Sequence, residues 1–310
     1  MAQEDDRGYL TAFLEDNLSS AGRKVTITGF EGALSSRATI SQIAIADREG
    51  VWIILRDVVL DWSRSALLGG RVSINALTAG EIILDRLPVA QPGLPAPEAA
   101  GFTLPELPVS VEIGRLAATK ISIGAGVAGL PMEGELEAAL SLIGGEGLIR
   151  LTLNRTDDAP AGWIKLAASY GNASRRLAVD LDVQEDANGI AANLLGIPGK
   201  PAVELTIKGD DPIDDFNAAV RLASAGAERL AGTVTLQAPK DGTQRFNADL
   251  GGDLAPLFLP DYADFFGPDV RLQTAGTKAQ SGRLALETLS VQTSALSLDG
   301  SLVLSADGLP

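Results

Sequence analysis

Histidine and cysteine are both absent from the 310 residues of this chain. Without them it has no imidazole base near neutral pH, no thiol nucleophile, and none of the common nitrogen and sulfur ligands of transition metals. Ser-His and Cys-His catalytic pairs are therefore excluded. Carboxylates and lysines remain as catalytic groups, so an enzyme is disfavoured rather than excluded. We expect no catalytic residues, no metal and no cofactor.

Aromatic and basic residues are also scarce. Aromatics make up 5% of the chain, so its apolar material is aliphatic. The 25 lysines and arginines face 40 aspartates and glutamates, and the resulting net charge of −15 disfavours binding to nucleic acid phosphates. No run of 18 apolar residues is present, and the start MAQEDDRGYL is acidic where the start of a signal peptide is basic. The sequence thus predicts neither a membrane-spanning helix nor a leader.

What the chain has in abundance is alternation of aliphatic and polar residues. In the stretch from Gly50 to Pro88, for example, Val51, Ile53 and Leu55 occupy alternate positions. Similar runs recur through most of the chain. A period of two indicates β-strands rather than helices. We therefore expect the function to belong to a long sheet surface and not to a cluster of catalytic side chains.

The composition divides the chain into an amphipathic helix, two β segments and a proline-rich loop between them. These are the helix at 1–22, the first β segment at 23–88, the loop at 89–108 and the second β segment at 109–310. Short helices are expected near 187–196 and 254–266. The predicted fold is all-β with a few short helices, built as a long, strongly twisted, groove-shaped sheet of antiparallel type.

One internal repeat connects two of these runs, because six apolar residues recur 39 positions later (111 − 72 = 39). The two sets are Val72, Ile74, Leu77, Ala79, Ile82 and Leu84, and Val111, Ile113, Leu116, Ala118, Ile121 and Ile123. Steps of three within a period-two pattern place the later side chains on the wrong face of a regular strand. A β-bulge at each step restores the face and increases the twist. The repeat therefore predicts bulged strands in a coiled sheet.

Two motifs invite a chemical interpretation. Asp210, Asp211, Asp214 and Asp215 supply carboxylates of the kind used in glycoside hydrolysis or calcium binding. Their sequence, GDDPIDDF, is typical of a turn that leads into a strand, and this is the interpretation we favour. GAGVAG at 124–129 matches a nucleotide-binding string, but a proline and a strand-like run follow it in place of a helix. We interpret it as a glycine turn.

The stretch DREGVWIILRDVVLDWSRSALLGGRVSINALTAGEIILDRLP resembles the N-terminal region of TamB-type proteins, which are relatives of AsmA. That family has a run of the form D-x-x-G-x-W/L-x-x-L-x-x-V-x-L-x-W-x-x-x-x-L-L-x-G-R that ends in an R-x-P turn. The matching positions are Asp47, Gly50, Asp57, Leu60, Trp62, Leu67, Leu68, Gly70, Arg71, Arg86 and Pro88. The segments LLGIPGKPAVELTIKGDDPIDDFNAAVRL and FNADLGGDLAPLFLPDYADFFGPDVRLQTAG resemble the same family, so the likeness covers nearly the whole chain.

The resemblance implies a component of a translocation and assembly module, held in the inner membrane by an N-terminal anchor and crossing the periplasm of a Gram-negative envelope. Such proteins form a long, twisted β-sheet groove with an apolar interior. They are linked to lipid transport and to outer-membrane protein assembly, and their partner is an outer-membrane barrel of the TamA type. Neither the anchor nor the C-terminal domain that meets TamA is recognised here. We therefore expect a periplasmic fragment with no TamA contact of its own.

From the alternation and the resemblance together we expect an apolar groove that binds phospholipid acyl chains as one stretch of a conduit between membranes. Each buried CH₂ contributes about 0.8 kcal/mol to such binding. The predicted lining residues are Ile53, Leu55, Leu60, Ile74, Leu84, Val111 and Ile113. The alternative is a scaffold whose strand edges pair with extended outer-membrane protein substrates. A carbohydrate-active enzyme would require clustered acids and aromatics, and the 5% aromatic content argues against it.

Overall fold

The structure is a computed structural model, and it covers most of the chain. It describes residues 15, 24–32, 36–63, 71–89, 104, 110–158, 161–237, 244–258, 260–279 and 283–305. The amphipathic helix predicted at 1–22 lies outside the described residues, except for Glu15, which is helical. Of the loop predicted at 89–108, the structure describes Val89 and Leu104.

Sixteen strands form in the described part of the chain. They are β1 (Lys24–Glu31), β2 (Arg37–Asp47), β3 (Gly50–Ser63), β4 (Arg71–Arg86), β5 (Ser110–Gly124), β6 (Met132–Ile143), β7 (Glu146–Arg155), β8 (Gly162–Gly171), β9 (Arg176–Glu185), β10 (Val203–Pro212), β11 (Phe216–Ser224), β12 (Ala227–Gln237), β13 (Gln244–Gly252), β14 (Val270–Lys278), β15 (Leu284–Gln292) and β16 (Ser297–Leu304).

These strands are neighbours in a single sheet in the order in which they occur along the chain. β1 to β4 pair antiparallel in succession, as do β5 with β6 and β8 to β16. β4 and β5 pair in parallel. The all-β prediction with a few short helices is confirmed. The sheet is mixed, however, and not purely antiparallel as the sequence analysis expected, because a crossover segment separates β4 from β5.

The contacts within the chain divide it into two compact units. The first unit comprises Met1–Leu94, Glu106–Gly144 and Ile149–Ala161. The second unit comprises Pro95–Pro105, Gly145–Leu148 and Gly162–Pro310. The first therefore holds β1 to β6 with most of β7, and the second holds β8 to β16. The division at residues 89–108, which was inferred from composition, stays a prediction.

The internal repeat corresponds to the parallel pair of the first unit. Ile74 stands opposite Ile113 and Leu84 opposite Ile123, and every recorded pair of β4 and β5 keeps the same offset of 39 (113 − 74 = 39). The repeated apolar residues are therefore direct neighbours across the two strands. The bulges predicted at the steps of three are confirmed between β5 and β6, where the register shifts twice, between Ile113 and Leu116 and between Ala118 and Ile121.

A row of local irregularities crosses β1 to β5 at one aligned level. The recorded pairings are interrupted at this level, at Gly29, Ser41, Asp57, Gly80 and Thr119. Gly29 and Asp57 have φ angles of 68° and 51°, in the left-handed region. A Cβ on Gly29 would lie 2.7 Å from Ser41 Cβ, and one on Gly80 would lie 3.1 Å from Asp57 Cβ. At this row each strand exchanges the parity of its apolar residues, so the apolar face continues on one side.

Short helices interrupt the strands at three places that the sequence analysis identified. The glycine turn predicted at 124–129 is in fact one helical turn, α1 (Ala125–Ala128), which ends at Gly129 with φ 77°. Strand β6 follows, so the motif lacks the helix that a nucleotide site requires. The helix expected near 187–196 is α2 (Ile190–Leu194), and its prediction is confirmed. The region near 254–266 holds 3₁₀ turns at Ala255–Leu257 and Pro260–Tyr262 and then α3 (Ala263–Phe266).

Candidate functional site

The first unit brings all seven predicted lining residues onto one face of its sheet. Ile53 stands opposite Leu84, and Ile74 stands opposite Ile113. The remaining three continue the same face and are Leu55, opposite Ile82, Leu60, opposite Leu77, and Val111, two residues before Ile113. Leu55 and Leu60 differ in parity, and the left-handed Asp57 between them reconciles their faces. All seven side chains are half-buried.

Part of this first apolar face is a closed cluster. Its buried members run from β1 to β7 and are Val25, Ile27, Ile40, Val58, Ala79, Ile82, Ala118, Ile121 and Leu153. Ile53 and Leu55 pack against this cluster. Two of the predicted lining residues therefore border an ordinary aliphatic core, which the alternation by itself does not reveal. That the seven residues line a lipid site stays a prediction.

An ion pair ties the β2–β3 turn to the end of β4. Arg86 donates to both carboxylate oxygens of Asp47, at 2.8 and 2.6 Å, and to the carbonyl oxygen of Gly50 at 2.8 Å. The backbone N–H groups of Glu49 and Val89 donate to the same carboxylate, each at 2.8 Å. The hydrogen bond from Arg86 is the main reason that the pKa of Asp47 lies well below its usual range. It also raises the pKa of Arg86.

This ion pair is a structural clamp and not a reactive site. The Asp47 side chain is 6% exposed, and every polar partner of its carboxylate is a donor from the chain itself. Asp47 and Arg86 are both among the positions that match the TamB-type run. The clamp thus explains physically why an aspartate and an R-x-P turn occur at this spacing. It holds the ends of β2, β3 and β4 together.

The second unit carries an apolar face that continues across nine strands. A single row of directly opposed residues runs through Leu166, Leu181, Ile207, Val220, Gly232, Leu250, Leu272, Val291 and Leu298. Side chains at i and i+2 share a face of a strand, so further aliphatic residues flank this row on most strands. Strands β8 to β16 supplied no predicted lining residues, although their period-two pattern was visible in the sequence.

Much of this second apolar face is open to solvent. Ile164 is 36% exposed, Leu236 is 44%, Leu298 is 45% and Leu302 is 38%. In the row itself the other aliphatic side chains are half-buried. A strand that packs on a core normally hides such residues. The second unit therefore presents a wide aliphatic surface.

One stretch of this face is covered by α2 and the residues that follow it, and Phe216, Ala218 and Val270 are buried elsewhere on the face. Ala192 of α2 and Ile197 pack on Val203 and Leu222 in a small buried cluster. Glu185, at the end of β9, accepts a hydrogen bond from the backbone N–H of Ala191 at 2.6 Å and so fixes α2 in place. The covered stretch lies at one end of β10 and β11.

The opposite face of the second unit is polar. Lys208 pairs with Asp180 at 3.3 Å, and Gln273 donates to Asp249 at 3.2 Å. Trp163 lies on this side too, where its indole N–H donates to Asp182 at 3.1 Å. The two faces thus differ sharply in chemistry, as expected of a sheet with one face in water and one in contact with apolar material.

Asp214 and Asp215 of GDDPIDDF lie in a 3₁₀ turn (Ile213–Asp215) that leads into β11, as predicted, whereas Asp210 and Asp211 lie at the end of β10. Arg176 Nε lies 2.7 Å from Asp210 Oδ1, and Arg175 Nη2 lies 2.6 Å from Asp214 Oδ1. Within the described residues, no group of three or more Asp and Glu side chains is arranged to hold a metal ion. Nor does any helix there have the length and apolar character needed to span a bilayer.

Comparison of the chain with family models, with curated proteins and with solved structures finds no match. The likeness to TamB-type proteins therefore rests on the sequence motifs alone, and membership of that family stays a prediction.

Proposed function

We propose that this chain binds the acyl chains of phospholipids along the apolar faces of its sheet and contributes no catalysis of its own. The observation that carries the proposal is the row from Leu166 to Leu298, which extends an aliphatic surface across nine strands, much of it open to solvent. Contiguous exposed apolar surface of this extent is uncommon unless it binds something.

The free energy available is sufficient for binding without a polar anchor. Each CH₂ that leaves water for an apolar surface contributes about 0.8 kcal/mol. Nine strands span eight spacings, or about 38 Å at about 4.8 Å each. Two acyl chains meet end to end in a hydrocarbon core about 30 Å thick, so this face is longer than one acyl chain. A phospholipid tail lying across the strands would therefore find apolar contacts along its whole length.

In the wider setting, this binding would make the chain one stretch of a conduit between the inner and outer membranes. That setting follows from the likeness to TamB-type proteins, as do the periplasmic location, the inner-membrane anchor of a longer protein and the TamA-type partner. The sheet supports the setting in one respect: its open aliphatic face is what a lipid path would require.

Lipid mass spectrometry on the chain purified from bacterial cells without detergent tests the proposal. The informative variant is Leu236→Asp with Leu302→Asp, which places two charges on the open face at side chains 44% and 38% exposed. The matched control is Thr235→Asp with Val303→Asp, at the adjacent positions on the opposite face. We expect co-purified phospholipid in the parent chain and the control, and a loss of more than half in the variant.

For the first unit, the same test compares Ile53→Asp with Ile54→Asp, because the side chains of these two β3 residues point to opposite faces. Circular dichroism verifies that each variant is folded. A folded parent chain without phospholipid, or equal lipid in the variant and its control, would show that the aliphatic face does not bind lipid.

A scaffold that pairs with extended polypeptides is the second candidate, and the edge of β16 favours it. No described strand pairs with the outer side of β16, and seven of its eight residues are exposed. On β1, by contrast, the N–H of Ile27 donates to Glu15 at 2.6 Å. Edge pairing uses backbone groups. Binding of a synthetic peptide of alternating valine and threonine should therefore survive Leu236→Asp with Leu302→Asp, which lipid binding should not.

A further inference from the structure

The connection between β13 and β14 exposes an unusual number of aromatic rings. Phe258 is 42% exposed, Phe265 is 39% and Tyr262 is 53%. The chain has only 5% aromatic residues, and Phe216, by contrast, is buried. We call Phe258, Tyr262 and Phe265 the aromatic ledge. It is separate from the row of aliphatic residues to which the proposed lipid binding belongs.

The aromatic ledge is held in a fixed arrangement by its own packing and by backbone hydrogen bonds. Phe258 stacks on Phe266 with ring centroids 4.1 Å apart, and Phe265 meets Phe266 edge-on at 5.1 Å. The carbonyl oxygens of Phe266 and Phe265 accept hydrogen bonds from the N–H groups of Ser294 (3.1 Å) and Ala295 (3.2 Å). Rings that are already ordered lose little entropy when they bind a partner.

Leu257, the residue before Phe258, packs against the buried cluster that α2 forms with the sheet. The segment is thereby anchored on the core of the second unit, while the three ring side chains stay 39–53% exposed. The chain thus leaves these rings partly open to solvent and does not bury them in its own core. Rigid, exposed aromatic side chains of this kind are the residues that contribute most at protein interfaces.

The segment that carries the ledge has charges of one sign. Asp261, Asp264 and Asp269 are exposed, and no described lysine or arginine forms an ion pair with them. Asp253, which precedes these three in the sequence, does form an ion pair: its carboxylate lies 2.8 Å from Arg229 Nη1. Between residues 253 and 269 the sequence contains no basic residue. A partner that covers the rings must therefore sit among three carboxylates.

We propose that the aromatic ledge docks a segment of a partner protein that presents apolar side chains flanked by lysine or arginine. The rings supply the apolar anchors, and the three carboxylates select the basic flanks by charge complementarity. An anionic phospholipid surface is disfavoured, because it attracts basic segments and the carboxylates would be repelled by it. The docking is independent of lipid binding on the sheet face.

The test uses two synthetic amphipathic peptides with leucines at identical positions, one with lysines and one with glutamates between them. Binding to the intact chain is measured by isothermal titration calorimetry and, in parallel, by co-sedimentation with anionic phosphatidylglycerol vesicles. We expect the lysine peptide to bind and the glutamate peptide and the vesicles not to bind. Affinity for the lysine peptide should fall with added salt.

Three variants locate the site. Phe258→Ser with Phe265→Ser should weaken the lysine peptide at least about tenfold, as expected for aromatic anchors. Tyr262→Ser removes the most exposed ring without touching the stack, so it reports on the ledge even where the double variant unfolds. Asp261→Asn with Asp264→Asn should weaken binding and remove most of its salt dependence. The control Ile143→Ser, at a side chain 45% exposed in the first unit, should bind as the parent chain does.

Equal binding of the lysine peptide by the parent chain and Tyr262→Ser would overturn the proposal, since the attraction would then be only that of an acidic protein for a basic peptide. Binding of the glutamate peptide as tightly as the lysine peptide would also overturn it. Ledge-dependent binding to the vesicles, without peptide binding, would assign the rings to a membrane surface instead.

Discussion

In the first unit the apolar side chains form a buried cluster that reaches from β1 to β7, whereas the buried cluster at α2 in the second unit is smaller. Both faces are built from the same period-two alternation of aliphatic residues. Their side chains nevertheless differ in exposure, from 7% at Ile82 to 44% at Leu236. Alternation therefore determines which side of a strand is apolar, and not how much of that side is hidden from water.

The irregular row across β1 to β5 explains part of the difference. Local irregularities of this kind increase strand twist, and a more strongly twisted sheet brings the side chains of its inner face closer together. In the first unit, Val58 on β3 and Ala79 on β4 lie next to the row and are 1% and 6% exposed. The second unit has register shifts too, between β11 and β12, between β14 and β15 and between β15 and β16, but no aligned row of them crosses all of its described strands.

The largest expected effect is the difference in stability loss between shortening an apolar side chain in the first unit and shortening one in the second. Ile82→Ala should lower the free energy of unfolding by about 2–4 kcal/mol, because it opens a cavity in a buried cluster. Leu236→Ala should cost less than about 1 kcal/mol, since its side chain is already 44% exposed. Urea unfolding of both variants measures the difference. Equal losses would mean that the two faces are buried to the same depth and would break the comparison.

A smaller effect is expected at the glycine within the row of the second unit. Gly232 has φ 156°, and an added Cβ would run into the carbonyl oxygen of Asp249 on β13. Gly232→Ala should therefore destabilise the chain by about 1–3 kcal/mol. Gly300→Ala is the control, because nothing lies within 4 Å of its Cβ position. Thermal melts of the two variants decide the matter, and similar Tm values would contradict the close approach of β12 and β13.

The smallest effect concerns the Asp47–Arg86 clamp and depends on pH. The pKa of Asp47 is lowered in the folded chain, mainly by the hydrogen bond from Arg86. The clamp thus stabilises the fold above the unfolded pKa of about 3.9 and loses this contribution as pH falls toward the folded value. Asp47→Asn should lower the Tm at pH 7 and narrow its gap to the parent chain near pH 3. A gap that does not change with pH would contradict this linkage.

Several features of the fold could be predicted from the sequence because they follow from local pattern. The offset of 39 between Ile74 and Ile113 was used to predict bulged strands, and register shifts occur where the steps of three fall. That the two copies are direct neighbours in parallel was not predicted, because a repeat alone does not say which strands pair. The single helical turn at α1 was read as a glycine turn, because four helical residues carry no periodic signal.

The candidate site was less predictable than the strands. Ile53 and Ile74 were assigned to one face, and they do share it, but the extent of the open face in the second unit depends on what covers each strand. Such coverage is a tertiary property. A half-buried strand and a strand that lines a ligand site have the same alternation, so the sequence does not distinguish them. The exposure of Phe258 and Tyr262 was hidden for the same reason, since an apolar-aromatic run is equally typical of a buried element.

Photolabelling with a phospholipid that carries a diazirine on its acyl chain tests the central claim most directly. Peptide mass spectrometry would locate the attached lipid on the chain. The account predicts labels on the apolar face of the second unit, at residues such as Leu236, Leu250 and Leu302, and none at Thr235 or Val303 on the opposite face. Labels spread equally over the two faces, or no labels on the second unit, would contradict it.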